Sequence, residues 1–229
     1  TIKINEVKLS DTKAYIIKYK NEEDFNFQQL VNYFASGDTT TIKSSSSWKI
    51  TYGKLILDNI DFAYRNENEN ITVSENMNYN NIRVSGVSGE FSNIKIIESK
   101  FFATVTDLKA KEQCGIVLEN LTGNIKVSST QLACMDFNLK TANSFVNGGF
   151  SFNYKEWEDY EDFINKVKIR ALLLNETKLN FKDIAYFVKE LNGLDEEIYV
   201  SGNVNGFVND LKGEKIKLLY ADNTKFAGN

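Results

Sequence analysis

The sequence predicts a mainly β protein: an elongated, curled antiparallel sheet of short repeated strands, groove-like, with a few short helices. Three observations point there. Apolar and polar residues alternate with period two through most of the chain. Aromatic residues are plentiful, 16 Phe and 11 Tyr among 229 residues, and many stand in β-branched company, a mixture that favours strands. Proline is absent, so turns fall to Gly, Asn, Asp and Ser, which supply positive φ or local side-chain bonds.

Taken in order, Ile2, Ile4, Val7 and Leu9 predict a first strand, bulged between the pairs. Ala14 to Tyr19 is a second. Leu55, Leu57, Ile60, Phe62 and Tyr64 continue the alternation, followed by Ile82, Val84, Val87, Phe91 and Ile94–Ile96. Phe101–Val105, Ile116–Leu118, Ile125–Val127 and Phe137–Leu139 carry it on. Phe150–Phe152, Val167–Ile169, Ile198–Val200, Val204–Val208 and Ile216–Tyr220 complete it. Turn clusters such as Asn66–Asn70, Asn147-Gly148-Gly149 and Ser201-Gly202 separate the runs. Strands about ten residues apart with such punctuation indicate an antiparallel meander.

Three segments change period. Phe27, Leu30, Val31 and Phe34 share one helix face, with Gly37 as a stop signal. Trp157, Tyr160, Phe163, Ile164 and Val167 form a second stripe. Ile184, Phe187, Val188 and Leu191 form a third, with Gly193 as its C-terminal cap. Each predicts a short helix with one face on the sheet. Ser44–Ser47 lie in a polar connection. The chain therefore divides as one elongated unit over 1–229, with sub-regions 1–47, 48–155 and 156–229.

A weak repeat is visible. Val7-Lys8-Leu9-Ser10-Asp11 can be laid on Leu55-Ile56-Leu57-Asp58-Asn59 and on Ile82-Arg83-Val84-Ser85-Gly86. The unit is apolar, any, apolar, small or acidic, turn residue. A recurring strand-turn-strand unit suggests a sheet that grows by addition, although any meander produces some such pattern.

Composition excludes much chemistry. There is no His, which removes the commonest general base and metal ligand together. Cys114 and Cys134 are too few for a four-ligand zinc site. A disulfide between them and two buried free thiols are both open. Gly202-Asn203-Val204-Asn205-Gly206 lacks the Lys-Ser/Thr of a phosphate loop, and Asp58–Asp61 lacks the remainder of a calcium loop. The carboxylates of Glu156, Glu158, Asp159, Glu161 and Asp162 suit a helix start better than a glycosidase pair. Three glycosylation-type triplets begin at Asn70, Asn120 and Asn175, as expected of an Asn-rich chain. The net charge of −4 carries no basic block, so no nucleic-acid footprint exists. The expectation is a non-enzymatic protein without cofactor or metal. No signal peptide opens the chain and no apolar run reaches the ~20 residues of a membrane helix. The strand-like start at Thr1–Ile4 and the turn-like end at Ala227-Gly228-Asn229 suggest a piece of a longer protein.

What remains is an apolar face repeated along many strands. Curled and open, it is a trough, and a contiguous exposed apolar surface marks a ligand or partner site. Acyl chains suit it, since they need apolar walls alone, at ~0.8 kcal/mol per buried CH₂. The expected lining includes Ile116, Leu118, Ile125, Val127, Phe137, Leu139, Val167 and Ile169; the competing reading makes them ordinary core beneath the helices.

Several segments resemble the AsmA/TamB family, especially the large TamB-like proteins of Bacteroidetes-type bacteria. Asp24-Phe25-Asn26-Phe27-Gln28-Gln29-Leu30-Val31 is similar to an early family segment, and Trp48–Thr51 through Asp61–Tyr64 to the strand pair that follows. The most specific stretch runs from Phe181-Lys182-Asp183-Ile184-Ala185-Tyr186-Phe187 through Leu191–Leu194. It continues into Val200–Gly206 and Val208–Gly213. Family members often carry Pro where this chain has Val188 and Lys189. The resemblance implies a β-taco segment in the periplasm, in a parent anchored in the inner membrane outside these residues. It further implies phospholipid transport between inner and outer membranes, a contribution to outer-membrane biogenesis with a β-barrel assembly partner, and no catalytic residues. Two competitors stand beside it: a scaffold for outer-membrane protein assembly that never touches lipid, and a surface carbohydrate-binding β-sandwich whose aromatic platform would involve Trp48 and Trp157.

Overall fold

A computed structural model describes residues 2–28, 50–97, 99–220 and 224–228. Strand dominates the described residues, 65 % against 8 % helix, so the mainly β class predicted from period-two alternation holds. Its strands are β1 (Ile2–Ser10), β2 (Lys13–Lys18), β3 (Ile50–Asn66), β4 (Asn81–Ile97), β5 (Lys100–Glu112), β6 (Val117–Ser128), β7 (Gln131–Thr141), β8 (Phe145–Asn153), β9 (Lys168–Leu173), β10 (Lys178–Asn180), β11 (Glu197–Phe207), β12 (Asp210–Tyr220) and β13 (Thr224–Gly228).

All thirteen join one sheet. From β3 to β13 it is an antiparallel meander in chain order. β9 and β10 lie end to end between β8 and β11 and act as one broken strand. β1 and β2 likewise lie end to end, but both run parallel to β3. That parallel edge departs from the antiparallel expectation. A parallel neighbour requires a long crossover, and residues 19–49 supply the length.

The repeat acquires a physical meaning. Val7, Lys8, Leu9 and Ser10 stand directly opposite Leu55, Ile56, Leu57 and Asp58. Its fifth position was expected to turn the chain, but β3 and β4 run straight through it. Asp11, Asn59 and Gly86 instead have φ of 49°, 58° and 61°, left-handed values that create bulges. Asp107 and Asp136 repeat the conformation in β5 and β7, and each strand pair from β3 to β8 shows a register shift there. A bulge bends its strand and increases local twist, so a line of bulges curls the sheet. Asn and Asp tolerate this conformation because their side chains bond locally. Asn59 Nδ2 donates to Asp11 Oδ1 at 2.6 Å, and Asn59 N–H to Ser88 Oγ at 3.0 Å.

The helices are shorter than their apolar stripes predict. The stripe from Trp157 becomes a 3₁₀ helix (Trp157–Asp162) and a single turn, α1 (Phe163–Lys166). Asp159 tightens it by accepting the Lys155 N–H at 2.8 Å. The stripe around Ile184 becomes α2 (Phe181–Ala185), capped by Asn180, and a 3₁₀ turn over Lys189–Leu191. Gly193 follows with φ 90°. The helix expected over Phe27–Phe34 and the Ser44–Ser47 connection lie outside the described residues beyond Gln28. Among the described residues, no helix is long and apolar enough to cross a membrane.

Candidate functional site

Directly opposed residues share a face of a sheet, so the register separates two surfaces. One carries apolar rows. Ile96, Phe101, Val127, Leu132, Phe152 and Ile169 form one row across β4 to β9. Ala103, Ile125, Cys134, Phe150, Ala171 and Val204 form the next. Leu108, Leu121, Leu139 and Val146 form a third. The other face is polar, as in the row Lys126, Ala133, Ser151, Arg170, Asn205 and Lys212. An amide and hydroxyl ladder crosses it: Asn93 donates to Thr104, Thr104 to Asn124, and Asn124 to Asp136.

Exposure on the apolar face is graded. Val105 is 2 % exposed, Cys134 3 % and Phe137 6 %, all on central strands. Toward the margins Leu9 rises to 41 %, Leu211 to 46 % and Phe226 to 59 %. A dry floor with exposed margins is what a curled sheet produces. Burial raises both thiols, at Cys114 and Cys134, to about 11, as an apolar surrounding demands of a group that would otherwise ionise.

Both ends of the floor are covered. At one end, the β3–β4 connection meets the β10–β11 connection: Met77 N–H donates to the Tyr186 carbonyl at 2.7 Å. Asn76 Nδ2 donates to the Ala185 carbonyl at 2.7 Å. These segments leave strands six places apart in the sheet, so their contact requires the curl. α2 is fastened beneath by Asp183, which accepts from Thr141 Oγ1 at 2.5 Å and from Asn143 Nδ2 at 3.0 Å. At the other end, Phe137, Phe150, Phe152, Phe163, Tyr160 and Tyr154 form a chain of ring contacts with centroids 4.9–6.0 Å apart. Desolvation pushes the Tyr160 hydroxyl up to about 12. Ile96, 67 % exposed, leaves the β4–β5 corner of this end open.

Leu118, Ile125, Val127, Leu139 and Ile169 lie half-buried on the apolar face, and Phe137 is in its floor. Ile116 immediately precedes β6, half-buried, its carbonyl accepting the Glu112 N–H. Val167 caps α1 and is 0 % exposed, so it packs the end and presents no surface. The accessible lining is therefore the half-buried set. Cys114 and Cys134 are unpaired thiols. Trp48 and the Trp157 side chain lie outside what the structure describes. Among the described residues, no group of three or more His, Cys, Asp or Glu could hold a metal.

Three residues shape the site without having been singled out. Glu112, buried, accepts the Arg83 and Cys114 amides at 3.0 and 2.6 Å. Thr177 and Asp183 are buried polar groups in the covered end or beside it. No local pattern marks them, since each also bonds a residue distant in sequence: Arg83, Asn147 and Thr141 respectively. Two shallow depressions, about 550 and 380 Å³, lie on the polar face around Asp107–Lys140 and around Gly149.

Compared with family models, with curated proteins and with solved structures, the chain finds no match in any of the three.

Proposed function

We propose that this chain shields acyl chains along the apolar face of its curled sheet. In this reading it is a periplasmic segment of an envelope-spanning AsmA/TamB-like protein that moves phospholipid between the inner and outer membranes and supports outer-membrane biogenesis. The observation that carries the proposal is the graded exposure of a continuous apolar face, floor dry and margins open, on a single sheet. Contiguous apolar surface of this kind is rare on a solvent-facing protein. An acyl chain gains from each buried methylene and asks for no polar anchor. The covered end behind Met77 and Tyr186 limits how far a chain can slide, and the corner at Ile96 is the natural point of entry.

The test is native mass spectrometry and lipid extraction of the purified chain. Copurifying phospholipid, displaced by added fatty acid, is the expected result. A lipid-free protein that also takes up no fluorescent phospholipid from vesicles overturns the proposal and favours the assembly-scaffold reading.

A further inference from the structure

Among the described residues the sheet ends at β1, and the backbone of that edge is already sorted for another strand. Odd-numbered residues of β1 turn their peptide groups toward β3. Asp11 N–H donates to the Asp58 carbonyl at 3.0 Å, and a Cβ on Gly53 would collide with the Asn5 carbonyl oxygen. Even-numbered Ile4, Glu6 and Lys8 therefore point their N–H and C=O groups away from the sheet. Beyond Ser10 the same edge is shut. Thr12 Oγ1 donates to the Ser10 carbonyl at 3.1 Å. Asn26 then imitates a strand: its amide side chain accepts the Ile17 N–H at 3.1 Å and donates to the Tyr15 carbonyl at 2.9 Å. Its own N–H donates to the Ile17 carbonyl at 2.8 Å. Exposed edges invite pairing and are usually blocked; here the β2 half is blocked and no described residue blocks the β1 half.

The charges beside the open half alternate in a self-complementary way. Glu6 stands opposite Lys54, which pairs with Glu90 at 2.8 Å. Lys8 pairs with Asp58 at 2.9 Å. We infer that β1 pairs antiparallel with β1 of a second copy of this chain, across a twofold axis at Val7. That register sets Val7 against Val7 and Glu6 against Lys8 of the other copy. The Glu90–Lys54–Glu6 row then runs on into Lys8–Asp58 with signs alternating throughout. A register centred on Glu6 would oppose two carboxylates, and one centred on Asn5 would leave the charges unmatched. Twofold pairing is the commonest closed association, and cross-strand opposite charges favour one register over another. The two apolar faces become one continuous sheet. The inference rests on the edge alone and stands whether or not the trough takes lipid.

The experiment is sedimentation equilibrium of the chain over a wide concentration range, with four variants. The parent dimerises. Glu6→Pro removes an outward N–H and no bond to β3, so it is monomeric and melts where the parent does at concentrations too low for the parent to dimerise. Lys8→Glu weakens the dimer, and mixing it with Glu6→Lys chains recovers association, since each contact across the seam is again between opposite charges. Val7→Cys forms a disulfide-linked dimer on mild oxidation, because a directly opposed pair without mutual hydrogen bonds brings the Cα atoms within disulfide reach. A parent that stays monomeric at every concentration overturns the inference. So does a Glu6→Pro chain that still dimerises, or that melts below the parent at such dilution, since the edge would then be unused or used within the protomer.

Discussion

Thr177 and Asn147 exchange two hydrogen bonds across the break between β9 and β10: the Thr177 hydroxyl donates to the Asn147 carbonyl at 3.1 Å and accepts the Asn147 N–H at 3.2 Å. One side chain thus replaces a missing ladder rung beside β8. Thr177 is 0 % exposed, so the Asn147 N–H that it accepts faces protein and not water. Thr177→Val keeps the shape and strands the Asn147 N–H, at about 1–3 kcal/mol, while the Asn147 carbonyl keeps the Leu174 N–H at 2.9 Å. The expected result is a clear fall in the denaturant midpoint with m unchanged, and retention of most stability in Thr177→Ser. Equal stability of Thr177→Val and the parent would show that the rung carries no weight.

The bulge at Asn59 separates backbone from side-chain effects. At φ 58° a β-branched residue is strained by roughly 1–2 kcal/mol, whereas Gly is not. Asn59→Val is expected to lose stability, with the Asp11 bond lost besides. Asn59→Gly loses that bond but gains conformational ease, and lands near the parent. Thermal melts of both variants check the order.

The trough reading predicts a face-specific defect. Leu118→Asp with Val127→Asp places two carboxylates on the apolar face and is expected to block photocrosslinking of a lipid probe. Thr122→Asp, between the two on the polar face of β6, leaves it intact. Circular dichroism confirms that each variant is folded. Normal crosslinking in the folded double variant removes these residues from the lining.

The buried thiols make alkaline pH destabilising. Burial raises Cys114 and Cys134 from 9.0 to about 11 in the folded chain, so above pH 9 the unfolded chain releases thiol protons that the folded one keeps. Stability from this source is complete below about pH 9 and declines toward pH 11. Stability measured against pH should fall in that window, and Cys114→Ala with Cys134→Ala should flatten the fall. Alkylation at pH 8 is expected to be slow until the chain unfolds.

Much of the sheet was legible because period-two alternation states directly which residues share a face. Ile125, Val127 and Leu139 could be placed together on that ground, and they do fall on one surface. The repeat was legible as a pattern, yet Asp11, Asn59 and Gly86 looked like turns. Left-handed φ serves a turn and a bulge equally, and only the partner strand distinguishes them. The covered end was not legible. Met77 and Tyr186 are 109 residues apart, and neither stands in a pattern that points to the other.

Local chemistry is the dividing line. Strand content, the two unlike faces, the short helices and the lack of histidine chemistry follow from side-chain type and spacing, which act over a few residues. The parallel edge at β1, the curl through a line of bulges, the closure at Asn76 and Ala185, and the unequal treatment of the two halves of one edge were decided by the folded chain. Each depends on which backbone groups meet across tens of residues, and a meeting of that kind has no period to be read.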